Sequence, residues 1–592
     1  MKQTIHNLLT DTTQNVKSNV TVNTNSRAAQ IKRVFIKISI YALSLGFLPV
    51  MAARYHVNVN NGADANNGLT WSAAFETFQA ALDKAQANDT IWIASGIYTP
   101  TKKYAEKYTD DTPTSERAIS FIIPDGVIVL GGFPANPSDA TGLSARDWKA
   151  NETILSGDVN GDDDYGFSTE NAYHVIIMFD ATPQTVLDGF TITGGYNDAP
   201  KSVHYNDRRA YAITYGDGSA IYSFSSVTIA SPTLRNLFIY DNFASNEGAG
   251  LFNYAPNDDA SPEITNVEFS INRVENKKTN GGRGGGLFIE GTTTTAKLTN
   301  VIITGNTALS AGASYGGGAY FKTVNDCTPI IQNTLVAGNI SNGGAGLFFN
   351  SRTNNTYPTL INVTISGNKA YAIDYSEEGV EYGGGMTVLA NLGEANPIIQ
   401  NTVICDNEGD IQNELLVKGI KGSNPTFSHS FVKGMDLGGT NLPGNTSTTS
   451  MFANPGNAAD APFWDGYRRH IYQLLPESPL VNKGNNAYLS LSKDLAGDNR
   501  VYGGTIDIGA YESQGGIPSN NDNIIAEKSI WAVAGTLYVN IDTQSTLRIY
   551  SMSGLLIKHI DNLTAGSYEF ALAKGLYIVT LSNGVTEKVV IR

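Results

Sequence analysis

The chain has 592 residues and a formal net charge of −15, which excludes nucleic acid and anionic membrane as partners held through a basic surface. Only 16% of its residues are charged, against a usual share of about a quarter, and glycines number 60. Asn, Thr, Ser and Tyr carry the polar surface instead, as in a turn-rich, β-rich extracellular protein. Two cysteines, Cys327 and Cys405, are too few for a disulfide framework and lack histidines at metal-ligand spacing.

Residues 31–54, "IKRVFIKISIYALSLGFLPVMAAR", have the parts of a secretory signal. Lys32, Arg33 and Lys37 precede an apolar run at 38–48, and Val50-Met51-Ala52 offers a small-residue cleavage site. The leader is therefore read as 1–53, with cleavage near 52–54. The expected address is the cell exterior or the outer-membrane surface.

In 66–100, "NNGLTWSAAFETFQAALDKAQANDTIWIASGIYTP", Trp71, Phe75, Phe78, Ala81, Leu82 and Ala85 fall at helical spacing. The spacing predicts a helix lying across the open end of the domain, with "DTIWIASGIY" as the first strands. The stretch "SGDVNGDDDYG" (156–166) places Asp158, Asn160, Asp162 and Asp164 at alternate positions, like the first half of a calcium loop. Thr169 stands where a closing glutamate would be. A structural calcium is the one cofactor this reading suggests. The alternative is a plain acidic turn. The insertion "YNDAPKSVHYNDRRAYAITYGDG" (196–218) carries Tyr196, His204, Tyr205, Arg208, Arg209, Tyr211 and Tyr215. Long loops on a rigid scaffold are frequent binding elements, and aromatic faces suit sugar rings. A loop packed on its own tyrosines is the plainer reading.

A heptapeptide then recurs: "NLFIYDN" (236–242), "NVEFSIN" (266–272), "NVIITGN" (300–306), "NTLVAGN" (333–339), "NVTISGN" (362–368) and "NTVICDN" (401–407). "DGFTITG" (188–194) reads as a degenerate earlier copy. A proline-led apolar piece precedes most copies, and a glycine cluster follows: "GAGLF" (248), "GGGLF" (284), "GGGAY" (316), "GAGLF" (344), "GGGMT" (383). A period near 33 residues with variable insertions marks a solenoid. Apolar, β-branched residues at the second and fourth positions have period two, so the unit is strand and not helix. Three short strands per turn predict an all-β, right-handed parallel β-helix over 54–512. Asn236, Asn266, Asn300, Asn333, Asn362 and Asn401 are expected to stack as an inward ladder at one corner, with the glycines at the opposite corner. A solenoid must cap both ends, and the far end reads as irregular: "YQLLPESPLVNKG" (472–484), then "DLAGDNRVYGGTIDIGAYE" (494–512).

The "[FIV]-x-x-N" and "G-G/A-G" pairing resembles the polymorphic outer membrane protein repeat. "NVNNGADANNGLTWSAAFETFQAAL", "LPESPLVNKG" and "TIDIGAYE" together resemble the choice-of-anchor β-helix family of bacterial surface proteins. That resemblance, over about 55–512, implies an exported β-helix held by interchangeable anchors, and supplies no catalytic residues.

After a linker at 513–524, the alternation in "TLYVNID", "TLRIYSMSG", "SYEFAL", "KGLYIVTLSNG" and "VTEKVVIR" predicts a small antiparallel β-sandwich over 525–592. "LRIYSMSGLLIKH" followed by "AGSYEFALAKGLYIVTLSNGVTEKVVIR" is similar to the C-terminal sorting domain of type IX secretion, which implies secretion machinery as a partner. The proline-rich entry usual in that domain is absent.

Parallel β-helices also host pectate lyases and polygalacturonases. None of the seven histidines lies in a "GHG", and the repeats contain no "RxK". The expected function is therefore a non-catalytic, adhesive or ligand-binding surface protein with a glycan or host-surface ligand. A loop-borne polysaccharide lyase or hydrolase is the runner-up, and a purely structural surface component the third reading. A convergent set of acids with a base on one groove would mark the runner-up.

Overall fold

The computed structural model describes residues 52–592, apart from 104–106, 109–115, 163–168, 200–202, 207–209, 214–215, 278–279, 372–382, 410–412, 454–471, 516–529, 534–535, 542–543, 552–554, 565, 573–574, 583–585 and 592. The leader up to residue 51 and the linker from 516 lie outside the described residues.

The repeats wind as a right-handed parallel β-helix. Each strand pairs in parallel with its counterpart one repeat later, as Leu234 with Ile264, Leu298 with Ile331, and Leu360 with Ile399. The expected division of the coil needs one correction. The proline-led piece and the heptapeptide belong to one long sheet, as in Thr233–Tyr240, Glu263–Ser270, Ile330–Ala337 and Thr359–Ser366. The third strand is a short one after the heptapeptide, such as Arg273–Asn276 and Thr307–Ser310. The glycine-led strand, such as Leu287–Thr293 and Ala319–Thr323, completes the turn.

The two asparagines of the heptapeptide do different work, and this overturns the predicted inward ladder. The leading residues Asn236, Asn266, Asn300, Asn333, Asn362 and Asn401 all have φ between 46° and 55°. Each turns the strand at its middle, a conformation that asparagine tolerates better than most residues. They do stand in one column. Asn266 Nδ2 reaches Asn236 Oδ1 at 3.1 Å, Asn300 reaches Asn266 at 2.9 Å and Asn333 reaches Asn300 at 2.6 Å. That column is on the outside. The inward ladder is the closing residue of each copy, Asn242, Asn272, Asn306, Asn339, Asn368 and Asn407, each no more than 3% exposed. Nδ2 of each donates to Oδ1 of the next at 2.8–3.0 Å, and also to a carbonyl of the preceding coil. The last, Asn407, donates to Glu414 Oε2 at 2.7 Å. Sequence spacing cannot distinguish the two asparagines. Parity alone would put both on the same side, since they stand six residues apart; the left-handed residue before each closing asparagine, such as Asp241, Ile271, Gly305 or Gly338, breaks the alternation and turns that asparagine inward. The earlier copy is displaced by one place, since Gly189, flanked by the pairs Asp188–Arg235 and Phe190–Leu237, stands opposite Asn236.

The glycines make the expected turn, but not opposite the inward ladder: a Cβ on Gly250 would lie 3.1 Å from Asn272 and one on Gly286 3.1 Å from Asn306. The first glycine of four clusters, Gly248, Gly284, Gly316 and Gly344, has φ of 57–63°. A ring four residues on lies over it: Phe252, Phe288, Tyr320 or Phe348. These rings stack along the cylinder outside the core, at centroid separations of 5.1–5.7 Å. The third glycine sits where a Cβ would strike the next coil's carbonyl, at 2.5 Å for Gly318.

At the start, the predicted helix is reduced to a 3-10 turn, Trp71–Ala73, and a five-residue helix, Phe78–Leu82. Asp64 takes the backbone N–H groups of Glu76 and Thr77 and the Thr77 hydroxyl, so the helix cannot begin earlier. Phe75, Phe78, Ala81, Leu82 and Ala85 still plug the cylinder's apolar interior, while Trp71 packs elsewhere, on Trp92 and Phe133. The segment from 472 to 513 is irregular, as expected, and lies on the side of the cylinder. It runs back along the outward face of the long sheet, over Ile302, Leu335, Val403 and Phe431. Leu437 packs on the interior near the last coil. Residues 530–591 form two antiparallel sheets of three and four strands around Leu537, Val539, Leu547, Ile549 and Val579.

Candidate functional site

The outward faces hold the chemistry, because the inward positions are filled by apolar side chains and the asparagine ladder. Register along the glycine-led sheet places Phe179, Phe224, Tyr254, Glu290, Lys322, Asn350 and Leu389 in one outward column, one residue per coil. Successive members are therefore about 4.8 Å apart. A second column just before the glycine turns begins Asp217, Glu247 and Arg283.

The two columns meet in a cluster of paired charges. Arg283 Nη1 donates to Glu247 Oε1 and lies 5.9 Å from the Tyr320 ring centroid. Lys322 Nζ and Glu290 Oε1 are 2.7 Å apart. The side chains of Glu247, Glu290, Lys322 and Arg283 are 12–28% exposed, so the pairs border solvent without being immersed in it. Burial raises the Glu247 carboxyl above the usual range even though Arg283 opposes the shift. The Tyr254 phenol is raised by burial and by the charges of Glu290, Glu247 and Asp217. The cluster thus combines two carboxylate–cation pairs with a tyrosine ring at one-coil spacing, a surface able to hydrogen-bond hydroxyls on either side of a stacked ring.

Sequence reading missed these residues, although the signal was present. Glu247 and Arg283 each immediately precede the first glycine of a cluster, and Tyr254, Glu290 and Lys322 each follow it by six. Aligning the glycine blocks, in addition to the heptapeptides, would have found them.

The predicted loop sites stand elsewhere. In the acidic stretch Asp158 Oδ1 accepts the N–H of Gly161 at 2.7 Å and of Asp162 at 3.3 Å. Asn160 Nδ2 bridges Asp162 Oδ2 and Glu170 Oε1, at 3.1 and 3.4 Å. Asp164 lies outside the described residues. No group of three or more acidic, histidine or cysteine ligands forms among the described residues. The described part of the loop is closed by its own hydrogen bonds, and Glu170 meets it in the place where Thr169 was expected to fail.

The insertion is a β-hairpin. Val203–Asn206 pairs antiparallel with Ala210–Ile213, and His204, Tyr205 and Tyr211 fall on those strands, Tyr205 paired with Tyr211. Val203–Asn206 also pairs antiparallel with Lys107–Tyr108 and so is the middle strand of three. Arg208, Arg209 and Tyr215 lie outside the described residues. Tyr196 belongs to the hairpin's root. Its ring stacks on Phe243 at 4.5 Å, and Arg117 holds its carbonyl while pairing with Asp198 at 2.7 Å.

No family model matches the chain, and no curated protein matches it. Among solved structures it is similar to the crystal structure of pectate lyase Pel9A, at 15% identity over 78% of this chain and 97% of that one, with a TM-score of 0.34. It is also similar to the complex structure of XylC with xylose, at 9% identity over 89% of this chain and 100% of that one, with a TM-score of 0.24. The parallel β-helix itself rests on the register of the repeats.

Proposed function

We propose that the protein is exported and displayed on the cell surface, where it binds a glycan without cleaving it. The observation that carries this reading is the column in which a tyrosine ring is followed, coil by coil, by the carboxylate of Glu290 and the ammonium of Lys322. In this cluster each cation is neutralised by a carboxylate one coil away, as Arg283 by Glu247 and Lys322 by Glu290. Charges held in such pairs orient hydroxyls well and transfer protons poorly. The leader's signal-like composition, the choice-of-anchor-like motifs and the sorting-like tail support export and attachment, with secretion machinery as the partner of the tail. Binding to a glycan array by residues 54–592, lost in Tyr254→Ala and Lys322→Ala but retained in Lys297→Ala, is the expected result. Retained binding in the first two variants would refute this placement of the site.

The runner-up, a polysaccharide-cleaving enzyme, is favoured by one observation, the raised Glu247 carboxyl beside Arg283, which is the protonation a general acid needs. A reducing-sugar release assay on the ligands found above separates the two readings. Release that disappears in Glu247→Gln would establish the enzyme.

A further inference from the structure

The segment 472–513 covers the long sheet without joining it. Ile302, Leu335, Val403, Cys405 and Phe431, which point outward, are all at most 6% exposed because Tyr472, Leu480, Ile508 and Ala510 lie on them. Among the described residues one backbone-to-backbone hydrogen bond links the segment to the coils, from Gly509 N to Asn401 O at 2.8 Å. The other polar contacts use side chains. Asn485 N donates to Asn401 Oδ1 at 2.8 Å, Ala510 N to Thr364 Oγ1 at 3.0 Å, and Tyr488 Oη to Ser428 Oγ at 3.1 Å. Asn362 Nδ2 turns to the carbonyls of Asp507 and Gly509. The outer asparagine column, self-paired from Asn236 to Asn333, thus serves as the docking rail from Asn333 onward, where Asn333 Nδ2 reaches Lys493 O at 3.4 Å.

The segment is folded around charge. Asp494 accepts the N–H groups of Asp498 and Glu512, Asp507 those of Asn482 and Ser513, and Glu512 those of Tyr502 and Asp507, all at 2.6–2.9 Å. One guanidinium, Arg500, is buried with these three carboxylates. Its Nη2 donates to Gly509 O, and its Nη1 meets no partner among the described residues. Asp498 adds a fourth negative charge beside Asp494, and Lys493 is engaged with Asn499. The groups that the sheet brings to the described polar contacts, among them Gln332, Asn333, Asn362, Thr364, Asn401 and Ser428, are neutral.

We propose that 472–513 is a strap that lifts as a unit from the outer face of the β-helix, and that its buried knot of three carboxylates and one arginine is a latch that loosens as the solution goes from acid to neutral. Burial raises the Asp494 carboxyl to about 6 and the Glu512 carboxyl to about 7, and raises that of Asp507 as well. A carboxyl with a raised folded-state pKa contributes its stability fully below the ordinary carboxylate range, and that contribution is lost as pH climbs through the folded value. The strap is therefore held most firmly below about pH 4, loosens as pH climbs toward 7, and loosens little further above that.

Cys405 reports on this directly. It lies under the strap, while Cys327 lies inside the cylinder, and both are buried free thiols. Maleimide labelling of the full chain is measured from pH 5.5 to 8.5 and normalised at each pH to the chain unfolded in urea. Normalised labelling of Cys405 is expected to rise at least tenfold, with Cys327 still protected. A flat Cys405 profile would overturn the proposal, as would equal rises at both cysteines, which signal opening of the whole cylinder. In Asp494→Asn/Glu512→Gln the rise should be largely lost. A folded double variant that keeps the full rise would show that the knot is not the latch.

Discussion

Replacing Asn306 with alanine tests the inward ladder at its middle. Asn306 Oδ1 accepts both the backbone N–H and the Nδ2 of Asn272, each at 3.0 Å, and its Nδ2 donates to Phe269 O at 2.8 Å and Asn339 Oδ1 at 3.0 Å. The residue is fully buried, so water cannot replace these partners. Asn306→Ala strands two donors on Asn272 and weakens the pairing of two acceptors. At roughly 1–3 kcal/mol per orphaned buried group, the loss is about 4 kcal/mol. Asn300 is the internal control, since it has the same chemistry one strand away but is half-exposed with φ of 55°. Asn300→Ala should cost about 1–2 kcal/mol, mostly backbone strain, and Asn300→Gly should recover nearly all of it. Glycine at 306 should recover nothing, because the lost groups are hydrogen bonds and not a left-handed turn. Urea denaturation gives the midpoints, and hydrogen exchange at the Asn272 amide localises the effect, which matters because solenoids can unfold in parts. Equal losses at the two positions, or rescue of 306 by glycine, would refute the assignment of inward and outward columns.

Ile271 has φ of 48° at a turn position where other coils carry Gly305, Gly338, Gly367 or aspartate. Ile271→Asn should raise the thermal midpoint, by relief of about 1 kcal/mol of strain. Gly318→Ala should destabilise by at least about 2 kcal/mol in the same assay, because the new Cβ would lie 2.5 Å from Gly346 O, which is backbone and cannot swing away. Glu414, which terminates the inward ladder, has its carboxyl raised by burial to about 7. Its stabilising contribution is present below the unfolded value near 4.5 and disappears as pH rises through 7. Glu414→Gln should remove a downward slope in stability of about 2–3 kcal/mol between pH 5 and 8, and an unchanged slope would locate the titration elsewhere.

Much of the architecture was legible because a solenoid writes its geometry into the chain once per turn. The heptapeptide's alternation, the glycine triplets and the period near 33 residues announced a parallel β-helix without reference to any partner strand. Local chemistry also fixed the left-handed positions, since asparagine and glycine are the residues that occupy them with least strain. The candidate site was less legible. Tyr254, Glu290 and Lys322 lie 32–36 residues apart in sequence and become neighbours only when variable insertions between coils have been discounted. The acidic loop and the tyrosine-rich insertion attracted attention because their residues cluster in sequence; in the described part of the first, Asp158 accepts from Gly161, and the described strands of the second pair as a hairpin.

By itself, then, the sequence determined the repeat, its strands and its turn residues, all of which depend on a few neighbouring side chains. Tertiary structure alone decided which asparagine of each pair faces inward and which outer face the 472–513 segment covers. The first depends on strand parity after a left-handed turn, and the second on apolar outward residues such as Leu335 and Val403 finding a cover more than 60 residues further along the chain. Contacts of that kind have no local signature, because the free energy that selects them comes from surface buried between segments that do not meet until the chain has folded.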